Sequence, residues 1–120
     1  MIDWRTLKLM TRALADVARL TIVYHLAHED DITVTALTER LGISQPLVSW
    51  HLRKLRRAGL IRTRRAGRQV YCSLDRQRFQ LCLQNLERLV DPGILVESLP
   101  AGASLVEAEA GAEAEAILEE

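Results

Sequence analysis

Four helix signals, a basic hairpin signal and one further helix signal predict a mainly α domain with a small β-hairpin, arranged as a winged helix-turn-helix. Three observations carry this expectation. Apolar residues up to position 58 recur at helical spacing. The string LGIS at 41–44 supplies the glycine and serine that a sharp turn and a new helix start require. After Gly59 the period changes to two, as in a strand.

The elements follow in order. Residues 4–14 form a first helix, with Trp4, Leu7, Met10 or Ala13, and Leu14 at helical spacing. Asp16 is the N-cap of a second, which carries Val17, Leu20, Val23, Tyr24 and Ala27 along one side. The polar run His28-Glu29-Asp30-Asp31 ends it, and Ile32-Thr33-Val34 is a short extended stretch. Thr35 is expected to cap a helix through Leu41, with Gly42 at its C′ position. Ser44 caps the next helix, Pro46 falls in its first turn, and the helix runs to about Ala58 before Gly59 stops it. Leu37 and Leu41 can pack against Val48, Leu52 and Leu55, which leaves Gln45, Ser49, Trp50 and Arg53 facing outward.

Leu60 to Arg64 reads as one strand, Ala66-Gly67 as the turn, and Arg68 to Leu74 as the second strand. There Val70, Cys72 and Leu74 alternate with Gln69, Tyr71 and Ser73, and Gly67 supplies the positive φ of a tight hairpin. Asp75 caps a last helix through Val90 whose apolar set is Phe79, Leu81, Cys82, Leu83, Leu86, Leu89 and Val90. That set is broader than one small core needs, which points to a partner helix from a second subunit. Asp91-Pro92-Gly93 ends the helix.

A chain of 120 residues at 48% apolar content allows one small domain, and so small a core gains from dimerisation. No apolar run approaches the ~18 residues of a membrane span, and no signal peptide is expected. Cys72 and Cys82 do not read as a disulfide framework, so a reducing cytoplasm is expected. Charge divides the chain. Residues 1–90 hold all 16 Lys and Arg against eight acids, a net of +8, whereas 91–120 hold eight acids and no base. The expected division is a DNA-binding and dimerisation domain at 1–90 and an acidic Ala/Glu-rich tail at 91–120. The tail reads as disordered or marginally helical. Ser104 to Glu107 match a capping box, but Gly111 and the like-charged pairs Glu109/Glu113 and Glu115/Glu119 weaken it.

Residues 41–74 carry eight Lys and Arg and no acid. A basic helix followed by a basic ribbon suits a nucleic acid, the helix in a major groove and the ribbon on phosphates. Gln45, Ser49, Trp50 and Arg53 are the base-reading candidates, since Gln bonds adenine and Arg bonds guanine bidentately. Trp50 either packs on thymine methyls and sugars or covers a neighbouring helix. Ser44, Lys54, Arg64, Arg65 and Arg68 are placed for phosphate or minor-groove contacts. Arg56 and Arg57 read as solvated surface, and His51 as half-buried. A winged-helix protein-interaction module is the alternative from another class. No phosphate loop, Ser/His/Asp motif or zinc-hydrolase signature is present, so no enzyme is expected.

ALADVARLTIVYHLA at 13–27, LGISQPLVSWHL at 41–52, LRRAGLI at 55–61 and GRQVY at 67–71 occur in this order, and the chain resembles the ArsR/SmtB family of bacterial winged-helix repressors over about residues 4–90. The resemblance implies a homodimer formed by the first and last helices, here Trp4 and Leu7 with Phe79, Cys82, Leu83, Leu86, Leu89 and Val90. It also implies double-stranded DNA as partner, an inverted-repeat operator overlapping a promoter, and release when an inducer binds. The family's thiolate metal site places cysteines at the start of the third helix, but Asp31 to Leu37 here hold none. Its other metal site uses histidine on the last helix, and Asp75 to Val90 hold none. No resident cofactor is expected. If a metal acts as effector, the local candidates are His25 and His28 with Glu29, Asp30 or Asp31. If a thiol acts, it is Cys72 or Cys82.

Overall fold

Each of the five helices starts where a short acceptor side chain takes the N–H of the third helical residue. Asp3 caps α1 (Trp4–Leu14) through Thr6 N, and Asp16 caps α2 (Val17–His28) through Arg19 N. Thr33 caps α3 (Val34–Leu41) through Ala36 N, and Ser44 caps α4 (Gln45–Arg57) through Leu47 N. Asp75 caps α5 (Arg76–Val90) through Arg78 N. Strands β1 (Ile32–Thr33), β2 (Ile61–Ala66) and β3 (Gln69–Leu74) complete the order α1-α2-β1-α3-α4-β2-β3-α5. The computed structural model describes residues 3–91 and Gly93, so the tail expected at 91–120 lies, apart from Asp91 and Gly93, outside the described residues. No helix among the described residues is long and apolar enough to cross a membrane.

The sheet is antiparallel in the order β1-β3-β2, so the expected hairpin gains a third strand. Ile32 pairs with Cys72 and Thr33 with Tyr71. This pairing corrects the expected start of α3. Thr33 leaves the strand in extended conformation and its hydroxyl reaches Ala36 N at 3.1 Å, so the cap is Thr33 and not Thr35. The turn also moves by one residue. Ala66 still pairs with Gln69, which makes Gly67-Arg68 the loop and removes Arg68 from the strand. Gly67 has φ +62° and no other residue there is positive, which fits a type II′ turn.

The core gathers Met10 from α1, Ile22 and Leu26 from α2, and Ile32 from β1. Leu37 of α3 meets Val48, Leu52 and Leu55 of α4 in the same cluster, with Leu60, Ile61, Cys72 and Cys82 beside them. Burying one such side chain stabilises by about 1.5–3 kcal/mol. The expected inward side of α2 is corrected: Ile22, Val23 and Leu26 are buried, while Val17, Leu20 and Tyr24 are exposed. This helix is apolar almost all round, so period alone does not choose its face. The broad apolar set of α5 likewise splits. Cys82 and Asn85 turn inward, Phe79 packs against the core, and Leu81, Leu83, Leu86, Leu89 and Val90 are exposed. Leu7 and Cys82, expected at a subunit interface, are committed to the core of their own chain.

The end of α4 is fixed by two crossed hydrogen bonds, Gly59 N to Arg56 O at 2.9 Å and Leu60 N to Leu55 O at 3.0 Å. This is a Schellman motif, with buried Leu55 and Leu60 supplying its apolar contact. Gly59 sits at φ +78°. An alanine there puts a Cβ in the left-handed region, at a cost of about 1–2 kcal/mol. Urea unfolding of Gly59→Ala should show that loss at unchanged m-value; an unchanged midpoint would mean the turn re-forms another way.

Candidate nucleic-acid interface

Val48, Leu52 and Leu55 are buried, and their burial fixes the rotation of α4. The opposite face then carries Gln45, Ser49 and Arg53 at successive i,i+4 steps, with Gln45 and Arg53 exposed and Ser49 half-buried. Trp50 and Lys54 form a second stripe beside it. Lys54 Nζ lies 5.0 Å from the Trp50 ring centroid, and Arg19 of α2 approaches the same ring at 5.7 Å. Trp50 keeps 42% of its surface exposed, so it covers its neighbours in part and remains open in part. Ser44 is exposed at the start of α4, where its hydroxyl accepts from Leu47 N at 3.4 Å.

A cleft of about 120 Å³ lies between α4 and β2, lined by Ser49, Leu52, Arg53, Arg56 and Thr63. Arg56 donates from Nη1 to Thr63 Oγ1 at 3.4 Å, so it links helix to wing. No local signal in the sequence marks this role, because Thr63 meets Arg56 only once the chain turns at Gly59. A larger open concavity of about 590 Å³ follows the first turns of α5 between Arg62 and Gln84 and includes none of the outward α4 side chains.

The wing arginines differ in environment. Arg65 and Arg68 are exposed at the tip. Arg64 contacts Asp31 at 3.4 Å and stacks over the cross-strand Tyr71 ring at 4.5 Å. Arg62 pairs with Asp75 at 3.0 Å. The N–H of Arg78 and the Arg62 guanidinium hold the Asp75 carboxyl below its ordinary pKa. The window without acids in sequence thus meets two acids in space, one from each flanking segment.

His51 is buried, not half-buried as expected. Its Nδ1 lies 3.0 Å from Arg19 Nη1 and 4.0 Å from Asp16 Oδ1. With Arg19 donating, Nδ1 is the acceptor and the ring is neutral. Burial pushes the His51 pKa down from 6.5; Asp16 opposes this and Arg19 adds to it.

The effector candidates do not converge. His28 Nδ1 lies 2.7 Å from Tyr24 O, Glu29 is engaged by Arg40, and Asp31 by Arg64. Among the described residues no three His, Cys, Asp or Glu side chains could hold a metal ion together. Within one chain His25 and His28 are thus not gathered with these acids into a three-ligand set. Cys72 and Cys82 are both buried free thiols. Burial first, and Asp31 second, push Cys72 up to about 11, and burial raises Cys82. Neither is the thiolate that redox chemistry requires.

A family model described as bacterial regulatory protein, arsR family, matches residues 16–63. The chain is 41% identical over 66 residues to the HTH-type transcriptional regulator KmtR of Mycobacterium tuberculosis, covering 55% of this chain and 50% of that protein. It is 38% identical over 80 residues to the arsenic resistance transcriptional regulator ArsR1 of Pseudomonas putida, covering 67% of this chain and 62% of that one. The chain thus spans between half and two thirds of these two relatives. The solved structure of HlyU from Vibrio cholerae superposes with a TM-score of 0.60 at 31% identity, over 72% of this chain and 92% of that one.

The folded protein binds the His51 proton less readily than the unfolded chain does. The stability it contributes is therefore complete above the unfolded value of 6.5 and is lost as pH falls below it. Denaturant titrations between about pH 7 and pH 5 should show stability declining with acid, and more shallowly in His51→Asn. Parallel declines in the two proteins would assign the effect to another group.

Proposed function

Since the chain belongs to the ArsR/SmtB family of bacterial regulators, we propose that it is a sequence-specific DNA-binding transcriptional repressor that grips an inverted-repeat operator as a homodimer. The observation that carries this reading is the stripe Gln45, Ser49, Arg53 on a helix whose back is locked in the core. Gln45 and Arg53 have the donor and acceptor pattern to read adenine and guanine edges, and Ser49 and Trp50 complete the base-facing surface. Ser44, Lys54, Arg65 and Arg68 are assigned to phosphates or the minor groove. Arg64 joins them in a lesser role, because Asp31 already engages it. The relatives are named transcriptional regulators, which disfavours the protein-interaction module and an enzymatic role.

The exposed Leu83, Leu86, Leu89 and Val90 of α5, with Trp4 of α1 and Phe79, support a dimer through the first and last helices. The site of action is the cytoplasm. The effector reading departs from the names of two relatives, which refer to arsenic and cadmium resistance. In this chain Glu29 and Asp31 are engaged by arginines, and both thiols are buried. We therefore favour an organic effector, or none, over a metal or oxidant.

Selection from random duplexes should return an inverted repeat with half-site centres about one helical turn apart. Recovery of no preferred sequence would defeat the reading, and a monomer at micromolar concentration would defeat the dimer. Arg65→Ala/Arg68→Ala should flatten the salt dependence, by about 0.9 in log–log slope for each phosphate no longer neutralised. Gln45→Ala or Arg53→Ala should instead relax base preference, at a cost of about 1–3 kcal/mol per bidentate pair. Wing changes that altered base preference, or helix changes that altered only salt slope, would reverse these roles.

A further inference from the structure

We propose that Arg19 and His51 form a positioning pair that sets the pose of Trp50 on the outer face of α4 for base reading. The inference rests on the DNA-binding reading above and adds to it two residues that carry no contact role there.

Apolar burial of Val48, Leu52 and Leu55 fixes which face of α4 turns inward, but it does not hold the ring of the outward Trp50. The Arg19 guanidinium supplies that hold. Its Nε donates to Ala13 O at 2.6 Å and its Nη1 to His51 Nδ1 at 3.0 Å. Ala13 O belongs to the last turn of α1, where carbonyls lack helical partners. One rigid fork therefore ties the end of α1, the start of α2 and the middle of α4 together. Asp16 fixes the base of the fork, because it caps α2 through the backbone N–H of Arg19 itself.

Three side chains frame Trp50. His51 meets its ring edge-on at a centroid distance of 5.1 Å, Arg19 lies over it at 5.7 Å, and Lys54 at 5.0 Å. A Trp held on these sides presents one fixed surface outward. Loss of the fork frees the Trp50 ring beside Gln45 and Arg53, while the buried face keeps α4 seated. Phosphate contacts made by the wing do not depend on the Trp50 pose, so the signature is a loss of discrimination and not of affinity in general.

The test measures affinity of the full chain for its selected operator and for an unrelated duplex of equal length, with a thermal melt of each variant. His51→Leu and Arg19→Met should each lower the operator-to-unrelated ratio about tenfold, with unrelated-duplex affinity held within about twofold. His51→Asn places an acceptor oxygen where Nδ1 stood and should restore most of the ratio. Arg19→Lys should not, because an ammonium has no fork to reach Ala13 O and His51 together. If His51→Leu does not fold, Arg19→Met, at a half-buried position, carries the comparison. A folded Arg19→Met with the wild-type ratio overturns the proposal, and so does His51→Asn as poor as His51→Leu. Wild-type protein that binds both duplexes equally defeats the DNA-binding reading itself.

Discussion

The seating of α4 governs this molecule. Val48, Leu52 and Leu55 are withdrawn from solvent against Leu37, and the chain turns directly beneath them at Gly59. Burial of the three contributes several kilocalories per mole, at about 1.5–3 each. It also decides which residues of a helix rich in arginine face outward, because side chains four apart share a face. The Schellman turn extends the same constraint to the wing. Leu60 packs with Leu55, so β2 departs from a fixed point, and the Arg56–Thr63 contact depends on that departure. Helix and ribbon are thus two faces of one rigid corner.

Electrostatics follow the fold and not the sequence window. Asp31 and Asp75 lie outside the acid-free stretch, one before it and one after it, yet the fold brings them to Arg64 and Arg62. Exposed pairs of this kind contribute only about 0.2–1 kcal/mol each. Their larger effect is on charge distribution: they draw the positive field toward the wing tip, Arg65 and Arg68, and toward Arg53 and Lys54 on α4. Concentrated charge of one sign raises local attraction for a polyanion more than the same charge spread evenly.

The helix ends are legible in the sequence because caps are local chemistry. Asp16, Ser44 and Asp75 each lie beside the N–H they satisfy, Gly42 donates its own N–H to Thr38 O at the end of α3, and no distant residue is needed to place them. The outward α4 stripe is legible for a related reason, since apolar period and outward residues come from the same turn of helix. What cannot be read depends on distant partners. Thr33 displaces Thr35 as the cap because β1 pairs with β3, about forty residues away. The inward face of α2 escapes the sequence because its apolar residues surround the axis, and α1, α3, α4 and β3 decide among them. His51 next to core Leu52 carries no sign of burial, because its polar partner is Arg19, 32 positions earlier. Asn85 shows the converse, a polar residue turned inward within a stripe that reads as apolar and paired there with Arg88 at 3.4 Å.

The exposed side of α5 follows from the same physics of burial. A domain of this size buries only roughly 60–70% of the surface its unfolded chain exposes, so single apolar residues at the surface carry no meaning. Five large ones along one helix, at positions 81, 83, 86, 89 and 90, are a different matter. Cys82 and Asn85 already provide the contact of α5 with its own core, and both are small enough to leave the helix close to α1. The exposed leucines keep more than a third of their surface in water. The exposed face of α2 carries Val17, Leu20 and Tyr24, of which Tyr24 packs on the His28 ring at 4.3 Å. On the dimer reading proposed above, the α5 face is the surface that a second chain would cover, because its five apolar side chains run along one helix.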